Sequence, residues 1–129
     1  MFFAIDPTNG VAIYEQVVRQ VLFAVAAGVL RPGELVPSVR EVARELAINP
    51  NTVARAYRRL QDEGVLEPVR GTGLAVAADA PERCRHKRLA LVRARLQQVF
   101  QEARQSRLAP HELRALVESE LAAQWPQEA

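Results

Sequence analysis

Three arginines and three short polar residues occur in the segment INPNTVARAYRRL, residues 48–60. Arginine presents a planar fork of donors that matches phosphate oxygens and the edge of guanine, and asparagine and threonine hydrogen-bond to similar groups. A helix would gather these side chains, because residues three and four apart share a face. The pattern indicates binding of an anionic partner by Asn51, Thr52, Arg55, Arg58 and Arg59.

The same segment carries the signals of a helix with one buried face. Asn49 is a preferred N-cap residue, and Pro50 suits the first turn, where its missing N–H would have no partner. Apolar residues follow at the i, i+3, i+4 and i+7 positions of one helical face. They are Val53, Ala56, Tyr57 and Leu60. The helix therefore buries one face and leaves the basic face for solvent or a partner.

Two helices are predicted before this one. An apolar helix extends from Ile13 to Leu30 and ends where Gly28 and the residues Arg-Pro-Gly at 31–33 follow. The next helix begins at Ser38, which forms the spacing of a capping box with Glu41. The apolar stripe of the first helix comprises Ile13, Val17, Val21, Leu22, Val25 and Val29.

A β-hairpin is predicted after the basic helix. Residues 65–69 and 74–77 have strand character, and the glycine-containing residues 70–73 form the turn between them. Pro68 cannot donate to a strand ladder, so its strand is expected at an edge. Residues 2–5 form a further short strand in this interpretation.

The composition changes near residue 78, and we predict one domain over residues 1–78 and a helical dimerisation region over residues 79–129. A helix over residues 82–106 has apolar residues at alternating steps of three and four, the spacing of a coiled-coil seam. A final helix begins at Pro110. This helical hairpin either packs on its own domain or, as we prefer, pairs with a second copy. The expected dimer interface comprises Leu89, Val92, Leu96, Val99, Phe100, Leu113, Leu116, Val117 and Leu121.

Length and composition narrow the class of protein. The chain has 129 residues, 49% hydrophobic and 25% charged, which are ordinary values for a folded protein. No stretch reaches the roughly 18 apolar residues of a membrane span, and the single cysteine suits a reducing compartment. The net charge is only +2, so anion binding must depend on where the arginines lie. We expect a cytoplasmic protein.

The predicted order is helix, turn, helix and β-hairpin, which is typical of a winged helix-turn-helix. This fold is mostly α (α+β), and here it continues into a small helical hairpin. In that fold the second helix of the motif enters the major groove, and its first turns approach the bases. The hairpin tip and the amino end of the preceding helix reach the DNA backbone. The expected contacts are Asn51, Thr52 and Arg55 to bases, Arg58 and Arg59 to phosphates, and Ser38, Arg40, Arg70, Gly71, Thr72 and Gly73 at the flanks.

The sequence also resembles the DNA-binding region of the GntR family of bacterial transcriptional regulators, from Ile13 to Val76. Three elements carry the resemblance in order: PSVRE at 37–41, NPNTVARAYRRLQDEG at 49–64 and RGTG at 70–73. The short helical part after them is similar to the YtrA subfamily, whose small members dimerise through it. The resemblance implies a homodimeric repressor that binds a palindromic operator in double-stranded DNA.

Family positions map onto particular residues of this sequence. The backbone contact of the family's PS-x-R-E motif falls on Arg40, and its wing-tip glycines fall on Gly71 and Gly73. Many relatives have arginines at the positions of Pro50 and Ala54, where this sequence has none. An operator sequence therefore does not transfer from those relatives.

Other functions fit the sequence less specifically. The same fold could form a protein-interaction module with weak DNA affinity, and a repressor could sense an unknown small-molecule effector at its helical hairpin. Catalysis, a cofactor and a metal are not expected, because no nucleophile–base pair or Cys/His cluster is present. The basic run 83–88 is either a solvated helix start or a second DNA contact. Within it, neighbouring cations would lower the pKa of Cys84 and suit a redox sensor, although no resolving thiol exists.

Overall fold

The computed structural model describes residues 4–126, which form five helices and one two-stranded sheet. In chain order these are α1 (Ile13–Ala26), α2 (Val39–Leu46), α3 (Pro50–Asp62), β1 (Leu66–Val69), β2 (Gly73–Val76), α4 (Ala80–Gln105) and α5 (Pro110–Gln124). The predicted winged helix-turn-helix followed by two helices is confirmed. The chain divides into two compact units between Ala90 and Leu91. The functional boundary near residue 78 stays a prediction.

The helices of the motif begin where their capping signals predict. The Ser38 hydroxyl accepts a hydrogen bond from the backbone N–H of Glu41 at 3.1 Å, and the Glu41 carboxylate accepts one from the Ser38 N–H at 3.2 Å. The Asn49 side chain accepts from the N–H of Asn51 at 2.8 Å. Both caps satisfy amides that have no partner within the helix.

Much of the core of the first unit lies between α1, α2 and α3, with α1 and α2 both packed against α3. The predicted inner face of α3 is buried as expected. The Tyr57 hydroxyl donates to the carbonyl of Pro37 at 2.7 Å, which joins α3 to the start of α2. Burial, helped by the nearby charge of Glu41, raises the pKa of Tyr57, so this hydroxyl stays protonated.

The wing is an antiparallel pair in which Val69 lies opposite Gly73 at the tip. Residues 33–36 hydrogen-bond along the other edge of β2, with the Val36 N–H donating to the Leu74 carbonyl at 2.9 Å. β1 is therefore the outer strand. The edge position predicted for Pro68 is confirmed, since an outer strand needs no donor on its free side.

Two local predictions were wrong. α1 ends at Ala26 and not at Leu30, because Gly28 adopts a left-handed conformation (φ 79°) that redirects the chain. Val29, predicted on the buried stripe, is consequently 62% exposed, and Leu30 is buried instead. The strand predicted for residues 2–5 lies partly outside the described residues, and residues 4 and 5 are not in a strand.

Gly64 follows the carboxyl end of α3 in a conformation that other residues adopt at a cost. Its φ is +77°, and a Cβ there would overlap the guanidinium of Arg83. Arg83 donates to the Gly64 carbonyl at 2.8 Å. We expect Gly64→Ala to lower the free energy of unfolding by more than the roughly 1–2 kcal/mol of a left-handed alanine, because the Arg83 hydrogen bond is also displaced.

Urea unfolding of Gly64→Ala and of a matched control, Gly28→Ala, measures this difference. Gly28 has a similar φ of +79°, but a Cβ there meets nothing within 4 Å. The control therefore carries the backbone cost without the displaced side chain. If the free energy of unfolding decreased equally in the two variants, the contact between Arg83 and Gly64 would contribute nothing to stability.

Candidate nucleic-acid interface

The outward face of α3 is the centre of the candidate interface. Asn51, Arg55 and Arg58 are exposed, and Thr52 is half-buried. The Asn49 cap and the buried face of α3 fix the helix against the core, so these side chains project from a rigid element. The structure thus places the predicted base-reading residues together on the first accessible turns of the helix.

Arg59 differs from Arg55 and Arg58 on α3, because its guanidinium is held by ion pairs. It forms ion pairs with Glu15 and with Glu63, whose Oε2 lies 2.9 Å from Nε. It also lies 3.5 Å from the Tyr14 hydroxyl. Hydrogen bonds to Tyr14, Glu63 and Glu15 raise the pKa of Arg59. A phosphate contact, as predicted, would require this side chain to leave three partners, so we assign Arg59 to holding α3 on α1.

Arg55 also meets α1, but in a different way. Its guanidinium carbon lies 4.1 Å from the centroid of the Tyr14 ring, a cation–π contact. The sequence patterns did not single out Tyr14, because it lies 41 positions before Arg55 on a helix whose only local signal is its apolar stripe. No local signal connects the two residues, and only the packing of α1 on α3 brings them together.

The wing tip is shaped by its glycines. Gly71 and Gly73 have φ values of 72° and 129°, which only glycine adopts without strain. The Thr72 N–H donates to the Val69 carbonyl at 2.9 Å and closes the turn. Arg70, Gly71, Thr72 and Gly73 are all exposed. The tip therefore offers one cation and closely approachable backbone.

At the amino end of α2 the cap and the cation have different roles. The Ser38 hydroxyl and amide are both engaged with Glu41, as the capping box requires. Arg40 is exposed. Within residues 4–126, Arg40, Arg55, Arg58 and Arg70 have no ion pair. Residues 1–78 carry as many acidic as basic side chains. These four cations nevertheless stay available to an external anion.

The basic run at the start of α4 is partly engaged with other residues of the first unit, since two of its four Arg and Lys side chains form ion pairs. Arg83 pairs with Asp79 at 2.7 Å, and Lys87 pairs with Glu63 at 3.3 Å. Cys84 is fully buried. Burial raises the pKa of Cys84 and outweighs the neighbouring cations, which corrects the lowered pKa inferred from the sequence. A buried thiol with a raised pKa is unsuited to redox sensing.

Helices α4 and α5 both present apolar side chains to solvent. Seven of the nine residues predicted for a dimer interface are 42–62% exposed: Leu89, Val92, Leu96, Val99, Phe100, Leu116 and Leu121. The other two, Leu113 and Val117, are half-buried and line a cleft of about 730 Å³ in the second unit, together with Phe100 and Leu108.

Neither a membrane-spanning helix nor a cluster of metal ligands is found in the part of the chain that the structure describes. No helix there is both long and apolar enough to span a membrane. No three potential metal ligands of residues 4–126 lie close together.

Comparison with known proteins identifies this architecture. The family model for bacterial regulatory proteins of the gntR family matches residues 13–76, from α1 to β2. The HTH-type transcriptional repressor YtrA of Bacillus subtilis (strain 168) is 35% identical over 99 residues, 77% of this chain and 76% of that protein. The chain belongs to the GntR family. The resemblance stated from the sequence motifs is confirmed.

Solved structures agree with this assignment. A GntR family transcriptional regulator from Listeria monocytogenes has a TM-score of 0.68 at 28% identity, with 89% of this chain and 98% of that chain covered. The DNA-binding domain of AraR in complex with operator ORX1 has a TM-score of 0.51 at 24% identity over 57% of this chain and 92% of that chain, and shows the shared fold alone. As a GntR-family member, the protein is a DNA-binding transcriptional regulator and not an enzyme.

Proposed function

We propose that this GntR-family protein is a homodimeric repressor that acts in the cytoplasm on a two-fold-symmetric operator. One observation carries the DNA-binding part: Arg40 on α2, Arg55 and Arg58 on α3 and Arg70 on the wing are exposed and have no acidic partner among the described residues. Repression is supported by the similarity to YtrA, which is itself named a transcriptional repressor.

In the proposed complex, α3 enters the major groove. Asn51, Thr52 and Arg55 face base edges, because the first turns of a recognition helix approach them. Arg58, Arg40 and Arg70 neutralise phosphates on the flanks, and the tip formed by residues 70–73 approaches the backbone or minor groove. Phosphate contacts fix register and supply most of the affinity, and the base contacts supply sequence preference.

Dimerisation is proposed through α4 and α5. Their exposed apolar residues form a seam with the three- and four-residue steps of a coiled coil, so a second copy would remove that seam from water. A symmetric dimer repeats the same contact on both partners and presents two recognition helices related by a two-fold axis. The operator should therefore contain two inverted half-sites.

Selection from a random duplex DNA pool tests the proposal. At about 0.15 M salt, sequencing of the retained DNA should reveal an enriched two-fold-symmetric site. Binding to that site should weaken with salt with a log–log slope near −5, since three arginines in each of two copies neutralise about six phosphates. A variant with Arg40, Arg58 and Arg70 replaced by glutamine is the control and should enrich nothing.

The contrary result is equally definite. If the protein retained DNA without enriching any sequence, and released it at moderate salt, specific operator binding would be contradicted and a protein-interaction module favoured. An enriched site without symmetry would leave DNA recognition intact but contradict the proposed dimer.

A further inference from the structure

Tyr14, on the first full turn of α1, lies between two arginines of the recognition helix. The guanidinium carbon of Arg55 is 4.1 Å from its ring centroid, and that of Arg59 is 5.7 Å away. Nη1 of Arg59 also lies 3.5 Å from the Tyr14 hydroxyl. Tyr14 is half-buried.

The two arginines do not use the ring in the same way. Arg59 is fixed by ion pairs to Glu15 and Glu63 and cannot follow a ligand without breaking them. Arg55 is exposed, and its side chain has neither a hydrogen bond nor an ion pair among the described residues. Its one specific partner in that part of the chain is the face of Tyr14.

Stacking leaves the recognition chemistry of Arg55 free. A guanidinium over an aromatic ring uses its flat face, and its N–H donors lie in the plane and stay open to an acceptor. Arginine binds guanine through two such in-plane donors. A guanidinium already held in one orientation also gives up less rotamer freedom when it binds. Arg58, without such a platform, is suited to phosphates, which tolerate many approach angles.

We propose that Tyr14 is a positioning residue for sequence recognition: its ring holds the Arg55 guanidinium in the orientation that reads a base. The inference rests on the proposed function, since it requires an operator base opposite Arg55. It adds a residue of α1, outside the helix-turn-helix, to the determinants of specificity. Tyr14 itself need not touch DNA.

Two substitutions separate the ring from the hydroxyl. Tyr14→Leu removes the aromatic face, and Tyr14→Phe keeps it while removing the hydroxyl that Arg59 approaches. For each variant, the affinity for the selected operator is divided by the affinity for operators changed at one base pair. We expect Tyr14→Leu to lower this ratio about two- to fivefold at the position read by Arg55. Tyr14→Phe should keep the wild-type ratio.

A double substitution tests whether Tyr14→Leu changes base preference by way of Arg55. In an Arg55→Ala background, Tyr14→Leu should leave base preference unchanged, because no guanidinium remains to be positioned. Thermal unfolding of every variant gives the control for folding. A variant that is merely destabilised has less active protein for all DNA sequences equally, so its affinity ratio does not move.

The outcomes distinguish this inference from the proposed function. A wild-type protein without sequence preference contradicts the proposed function and, with it, the role of Tyr14. A selective wild type whose preference survives Tyr14→Leu contradicts the inference alone, as does a decrease that appears equally in the Arg55→Ala background. A decrease in Tyr14→Leu that is absent in Tyr14→Phe and absent without Arg55 supports it.

Discussion

Replacing Leu96 and Val99 together with glutamate should convert the protein to a monomer and lower its affinity for a two-half-site operator about hundredfold or more. Both side chains are about half exposed on α4, at 49% and 53%. In the proposed dimer they lie in the central seam, where a buried unpaired carboxylate is strongly unfavourable. Each monomer would then bind one half-site alone, without the advantage of linked binding.

Light scattering reports the oligomeric state, and titration of the selected operator and of an isolated half-site reports the affinity. The matched control is Gln98→Glu with Gln105→Glu, which adds the same charge to exposed positions of α4 outside the seam. Half-site affinity should be similar in both double variants. If the Leu96 and Val99 variant stays dimeric, the interface proposed here is wrong, whatever its effect on DNA.

The second large effect is expected from Arg55→Ala, which should relax base preference at one position of each half-site. A bidentate contact to a base contributes about 1–3 kcal/mol of discrimination against the wrong base pair. Arg55 is exposed and unpaired among the described residues, so its removal costs the protein no ion pair. A weaker base preference would therefore report on DNA recognition.

Arg40→Ala and Arg70→Ala should behave differently from Arg55→Ala. They should weaken binding to all sequences alike and make the salt slope shallower by about 1 for each phosphate that is no longer neutralised, hence about 2 in a dimer. The control is Arg31→Ala, because Arg31 is exposed but lies outside the proposed interface. This variant should change neither the affinity for DNA nor the salt slope. If Arg55→Ala lowered the affinity for the operator and for scrambled DNA equally, the assignment of Arg55 to base reading would be wrong.

Much of the fold follows from signals that act over a few residues. The capping box of Ser38 and Glu41 and the Asn49–Pro50 start set where α2 and α3 begin, because a helix start depends on amides within its first turn. The spacing from Val53 to Leu60 determines which side of α3 is buried. The turn at residues 70–73 needs positive φ values, and its glycines indicate this. Composition and periodicity suffice wherever the partners are close in the chain.

The particular roles of the basic residues were decided by tertiary contacts. Arg55, Arg58 and Arg59 belong to the same sequence pattern, yet Arg59 pairs with Glu15, Arg55 stacks on Tyr14, and Arg58 is exposed to solvent. Cys84 has basic neighbours in sequence but is buried near the start of α4, and burial determines the direction of its pKa shift.

The sequence by itself therefore determined the family, the order of elements and the surface proposed to face DNA, since all three depend on local patterns. Only the tertiary structure decided which arginines stay free for a ligand and which hold the protein together. The physical reason is distance along the chain: Glu15 and Arg59 are 44 residues apart, and nothing between them specifies the packing of α1 on α3 that makes them neighbours.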